Sequence, residues 1–182
     1  MSRLVVCLVG MPGAGKSTVA DGLKMRGYAV VNMGDAVRAE ARRRNVEPTG
    51  PNLGRIMLEL RERDGPGAVA NLVRPLIDAA PGDTVVVDGI RSENEIRVLR
   101  ECGRLKILAI HASSDTRFGY LQKRGRSDDP ADAGTMQERD RRELGVGISD
   151  PIALADESIS NNSQGVDELV DSALRIIRGW GA

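Results

Sequence analysis

The sequence predicts an α/β domain built on a mainly parallel sheet. Three observations carry this. Apolar runs recur along the 182 residues, several without the apolar–polar alternation of a half-exposed strand. The segments between them are mostly long enough for helices, and the clearest shows apolar residues at helical spacing. A glycine-rich loop joins the first apolar run to the first helical segment.

Taken in order, "RLVVCLV" (3–9) reads as the first strand. "KSTVADGLKMRG" follows as a helix, with Gly27 as its C-terminal cap. "YAVVNM" (28–33) is the second strand. A helical region is then inserted, with "PTGPNLG" (48–54) and "DGPGA" (64–68) as breaks between its helices. Within it Leu53, Ile56, Met57 and Leu60 fall on one helix face. "DTVVVDG" (83–89) is the third strand. "SENEIRVLRECG" opens with Ser92 and has Glu95 three residues later, the pattern of a capping box. "RLKILAIHA" (104–112) and "DESISN" (156–161) are the fourth and fifth strands. Val166, Leu169, Val170, Leu174 and Ile177 line one face of the last helix. No repeat and no long linker divides the chain, so residues 1–182 read as one domain.

Composition narrows the function. Lys+Arg and Asp+Glu both number 26, without the basic surplus of a duplex-binding protein. Aromatics are 2% of residues, too few for base-stacking platforms. Cys7 lies inside an apolar run, and with Cys102 far away the two form neither a disulfide framework nor a zinc set. No apolar run reaches membrane-spanning length, and the N-terminal one is too short for a signal peptide. The expectation is a cytoplasmic protein in a reducing compartment, with monomer and homodimer equally open.

The strongest motif is "GMPGAGKST", Gly10 to Thr18, which fits G-x-x-x-x-G-K-[ST] between a strand and a helix. Its chemistry follows from its spacing. Gly10, Met11, Pro12, Gly13, Ala14 and Gly15 form a loop whose backbone N–H groups can wrap phosphates. The helix start adds its positive dipole end. Lys16 can reach the β- and γ-phosphates of ATP, and Ser17 can ligate Mg2+. A switch GTPase is disfavoured, because N-K-x-D is absent and the one D-x-x-G match, Asp64 to Gly67, follows no strand. An LSGGQ-type transporter signature is absent too.

A second set of residues belongs to a phosphate acceptor. Asp35 and Arg38 follow the second strand in "NMGDAVRAE", and Asp88 and Arg91 follow the third in "VVVDGIRS". Ligands of open parallel sheets bind outside the strands' carboxyl ends, so these side chains should converge with Lys16. Asp88 is the expected Mg2+-side carboxylate, direct or through water. Arg38 and Arg91 are suited to clamp an acceptor phosphate with their guanidinium forks.

Together "GMPGAGKST", "MGDAVR" and "DGIR" resemble the nucleoside monophosphate kinases, typified by adenylate and UMP/CMP kinases. "GRSDD" is similar to the lid of the UMP/CMP kinases. Nearly the whole chain also resembles an archaeal family of nucleotide kinases related to CMP and AMP kinases. Its phrases "NLGxxMLELRE", "RGRxDDP", "ERDxREL" and "VGIxxxIALAD" recur in this chain. The resemblance implies a P-loop three-layer fold with a five-stranded parallel sheet. It also implies a helical acceptor-binding insert at 35–80 and a short lid at 115–145. ATP and Mg2+ binding carries over to Gly13, Gly15, Lys16, Ser17 and Thr18, and acceptor-phosphate contact to Arg38 and Arg91. Lid contact carries over to Arg124, Arg126 and one of Arg139 or Arg142.

The chain departs from the family in places. Where adenylate kinases place a base-reading glutamine it has Asn94 and Glu95. "DGIR" is one residue shorter than D-G-x-P-R. Tyr120 stands where relatives often place an arginine over the donor base, and either stacks there instead or packs as a partly buried helix residue. A hydroxyl acceptor, as in the dephospho-coenzyme A or shikimate kinases, would make Asp35 the natural base. A regulatory ATP binder or slow ATPase is the non-kinase alternative. His111, the "ARRRN" run (41–45) and Trp180 read as structural, and the loop at Asn161 and Asn162 as passing near the donor base.

Overall fold

The structure is a computed structural model that describes residues 3–125 and 129–182. Five strands, β1 (Leu4–Val9), β2 (Ala29–Asn32), β3 (Thr84–Asp88), β4 (Arg104–His111) and β5 (Glu157–Ser160), form one sheet. Its order is β2-β3-β1-β4-β5, and every pair is parallel. All six residues of the central strand β1 are buried, which is why its sequence shows no alternation.

The pleat sends alternate β1 residues to opposite faces. Val5, Cys7 and Val9 pack with Val85, Val87 and Ile107 beneath α2 (Met33–Arg43), α3 (Gly50–Asp64), α4 (Ala68–Ala79) and α5 (Glu93–Leu99). Leu4, Val6 and Leu8 pack with Leu108, Ile110 and Ile159 against α1 (Lys16–Met25) and α9 (Val166–Gly181). Two cores on either side of one sheet make the three-layer P-loop fold that the sequence predicts. The remaining helices are α6 (Ser114–Arg124), α7 (Ala133–Val146) and α8 (Ser149–Ala153), and a 3-10 turn spans Arg100–Cys102.

Four details correct the sequence reading. "PTGPNLG" is no break over its second half, because α3 starts at Gly50. Thr49 caps that helix by accepting from the Asn52 N–H, and Pro51 lies in the first turn, where a missing N–H is harmless. Ser92 does cap α5 by accepting from the Glu95 N–H at 3.3 Å. The Glu95 carboxylate does not close the box on Ser92, however; it accepts from the Arg91 N–H at 2.7 Å. Val166 opens α9 with its side chain exposed, and Ala173 joins the buried stripe instead. Gly27 lies one residue past the capping Arg26, with φ +88°.

Cys7 is fully buried and its thiol is pushed well above its ordinary pKa by that burial. His111 ends β4 exposed, and Trp180 packs against the second core with Lys106 above its ring. Among the described residues no helix is long and apolar enough to cross a membrane.

Candidate active site

The carboxyl ends of β1, β2 and β3 open onto a cavity of about 520 Å³. The loop after β1 forms one wall. Gly10, Gly13 and Gly15 all have positive φ, at 147°, 81° and 110°. Each is also hemmed in: a Cβ on Gly10 would lie 2.2 Å from the Ile110 carbonyl oxygen, and one on Gly13 2.8 Å from that of Arg117. The sheet and α6 thus press on the loop from below.

Two side chains grip the loop from outside it. Arg117, buried on α6, donates to the Pro12 carbonyl at 3.0 Å and forks onto Asp140 of α7 at 2.9 and 2.6 Å. Asn161, after β5, donates to the Ala14 carbonyl at 2.9 Å. Tyr120 lines the cavity, and its hydroxyl donates to the Asn161 carbonyl at 3.1 Å. Sequence reading missed Arg117 and Asp140 and assigned Asn161 no specific bond.

Lys16 lies at the floor, donating to the carbonyls of Gly10 at 2.6 Å and Met11 at 3.1 Å. Burial lowers its pKa, and the Asp88 and Glu143 carboxylates push it back up. Asp88 is the mirror case. Burial raises its pKa, while Lys16 and the Gly89 N–H oppose the shift. Asn32, its register partner on β2, donates to Oδ2 at 3.0 Å, whereas Oδ1 is buried and has no hydrogen-bond partner. A buried carboxylate oxygen left in this way, with the Ser17 hydroxyl on the same cavity, fits the hard-oxygen donor set of Mg2+.

Arg38 and Arg91 line the same cavity. Arg38 is paired with Asp35 at 2.6 Å, and Arg91 meets Glu143 of α7 at 3.4 Å. Arg61 of α3 also reaches the cavity and holds the buried Glu95 at 3.1 Å. Lys123 and Arg124 of α6 and Arg139 of α7 line the cavity as well. Asp129 accepts from Arg124 Nε at 2.9 Å and from Arg139 at 3.3 Å, so one aspartate holds both arginines.

Four expected residues are not on the cavity wall, and Ala14 is one, buried with its carbonyl held by Asn161. Asp35 is 72% exposed in its side chain and turned to Arg38. Met11 contributes its carbonyl to Lys16 but no cavity surface. Arg142 is exposed and off the wall, so of the two candidates, Arg139 and Arg142, it is Arg139 that lines the cavity. Arg126 lies outside the described residues.

Known proteins resemble this chain in sequence and fold. The AAA domain family model matches residues 9–137, from the end of β1 into α7. A UPF0200 protein of Hyperthermus butylicus is 41% identical over 96% of this chain and 94% of its own length. One from Pyrococcus furiosus is 44% identical, with 96% of each chain covered. The chain belongs to the AAA domain family and to the UPF0200 proteins. Solved structures place this UPF0200 member among P-loop kinase-like folds. A Thermus thermophilus protein superposes with a TM-score of 0.68 at 21% identity, covering 98% of each chain. A shikimate kinase from Acinetobacter baumannii gives 0.59 at 16%, covering 97% of this chain and 93% of that one. At those identities the likeness is one of fold.

Proposed function

We propose that the protein is an ATP- and Mg2+-dependent phosphotransferase of the nucleoside monophosphate kinase type. The observation that carries this is a single cavity lined by Lys16, Ser17 and Asp88 together with Arg38 and Arg91. The first three suit a nucleoside triphosphate with its metal; the last two suit a phosphate that receives the γ-phosphoryl group. Mg2+ would be held by Ser17 and, directly or through water, by Asp88. When bound, it supplies charge neutralisation at the donor phosphates.

Lys16 would hold the β- and γ-phosphates, releasing its loop carbonyls to do so. Arg38 and Arg91 would hold the acceptor phosphate against its repulsion from the γ-phosphate. Arg124 and Arg139 would approach the transferring group from the lid, with Arg126 assigned there by its motif. The Tyr120 ring, tethered through its hydroxyl, is the surface offered to the donor base. A phosphate acceptor needs no general base. The hydroxyl-acceptor alternative would need one, and Asp35 is exposed, engaged by Arg38 and off the cavity wall.

The test is an acceptor panel. With Mg-ATP, ADP release is followed alone and with AMP, CMP, UMP, GMP, dephospho-coenzyme A and shikimate. Monophosphate-dependent ADP release is expected, with Lys16→Ala lowering it at least about 100-fold. Release that no acceptor stimulates would favour an ATPase and sink the kinase reading.

A further inference from the structure

We propose that Glu143 is an internal competitor for the acceptor's phosphate, occupying Arg91 until a phosphate group displaces it. The inference rests on the reading that Arg91 receives that phosphate.

The pair differs from this protein's forked ion pairs. Arg117 and Asp140 form a fork at 2.9 and 2.6 Å, and Arg43 forks onto Glu40 at 2.7 Å twice. Such geometry is what a charge-assisted structural pair adopts. Arg91 and Glu143 share one contact, at 3.4 Å. Glu143 Oε2 is buried and makes no hydrogen bond at all. Leaving a carboxylate oxygen buried and unsatisfied is unfavourable, and a pair kept only for stability would close into a fork.

The carboxylate is nonetheless held firmly in place. Glu143 is 12% exposed in its side chain and follows Asp140 by one helical turn on α7. Asp140 is locked to Arg117, and Arg117 to the phosphate-binding loop. Glu143 is thus tied through α7 to the phosphate-binding loop. Arg91, at 37% exposure, stays open to the cavity.

Exchange at Arg91 is selective by chemistry. A phosphate offers two oxygens to the guanidinium fork and carries up to twice the charge of a carboxylate, so it replaces the single Glu143 contact. A neutral hydroxyl brings no charge, and a carboxylate, though it can also fork, brings only one. Glu143 would therefore raise the threshold for occupying the acceptor site and set a preference for phosphate esters.

Inorganic phosphate is the probe. It is titrated calorimetrically into protein saturated with Mg-ADP, so that the phosphate-binding loop is already filled. Glu143→Gln should bind phosphate about three- to tenfold more tightly than the unaltered chain. Glu143→Leu, of similar bulk, serves as a second removal of the carboxylate should the glutamine variant fold poorly. In an Arg91→Met background the gain should vanish. Equal or weaker phosphate binding by both Glu143 variants would overturn the proposal. So would a gain that persists without Arg91, since it would reflect general charge removal. If phosphate binding tightens as expected while no monophosphate is phosphorylated, the competitor role stands and the kinase reading fails.

Discussion

Gly15 shows how much one missing side chain contributes to the phosphate-binding loop. Its φ is +110°, and a Cβ there would lie 2.5 Å from Asn161 Nδ2 and 3.3 Å from Leu169 Cδ2. That amide donates the bond that holds the Ala14 carbonyl. Gly15→Ala should therefore strain the backbone and dislodge the grip from β5 together. Gly27→Ala is the control, because Gly27 has φ +88° with nothing within 4 Å of a Cβ. Both variants should lose about 1–3 kcal/mol of stability. Only Gly15→Ala should weaken Mg-ATP binding as well, by about tenfold or more. Thermal melts with nucleotide titrations check this, and equal ATP affinity in the two variants would refute it. The motif around Gly15 was legible because its spacing reports a backbone shape. The Asn161 bond was not, because its acceptor at Ala14 is 147 residues away in sequence.

At the scale of elements, periodicity and composition located all five strands to within a residue or so at each end. Of the five residues that their C-terminal ends should bring together, Lys16, Arg38, Asp88 and Arg91 line one cavity and Asp35 does not. The misreading of 50–54 has a physical cause. Gly and Pro mark breaks on average, yet Pro in a first helical turn loses no bond, and Thr49 supplies the cap. The helices of the insert are joined by a charge network that no spacing reveals. Glu40 of α2 accepts from Arg43 and from Arg44, and Arg44 reaches across to Glu59 of α3 at 2.8 Å. Hydrogen bonding from Arg43, reinforced by Arg44, holds the Glu40 pKa down at about 2 against an ordinary 4.5. A depressed carboxylate stabilises the fold above its unfolded pKa and loses that contribution as pH falls through its folded one. Glu40→Gln should therefore lower the Tm by about 2–8 °C at pH 7. The gap between variant and parent should shrink from about pH 4.5 downward and close near pH 2. A gap that stays constant over this range in melting curves would show that Glu40 acts by shape and not by charge.

Across the whole molecule, α7 connects parts that the sheet alone leaves separate. Its Arg139 meets Asp129, its Asp140 meets Arg117 beneath the phosphate-binding loop, and its Glu143 meets Arg91 after β3. In sequence the helix is only a dense charge cluster, "ERDRREL", and pairing charges across a fold requires the fold. Arg117 is the joint of this arrangement, because one guanidinium serves both the Pro12 carbonyl and the Asp140 carboxylate. Arg117→Met should leave both acceptors without their donor and weaken Mg-ATP binding about tenfold. Arg117→Lys keeps a charge but cannot fork, so it should recover only part of the loss. Asp140→Asn should weaken ATP binding less than Arg117→Met, because the bond to Pro12 survives. Combining Asp140→Asn with Arg117→Met should add little further loss, since the pair acts as a unit. The alternative is that Arg117 merely stabilises the fold. In that case ATP affinity measured well below each variant's melting temperature would match the parent, and the effects would appear only in the Tm. Loss of affinity in fully folded Arg117→Met and Arg117→Lys, graded by their ability to bond Pro12, would instead mark Arg117 as the residue that sets the loop for phosphate.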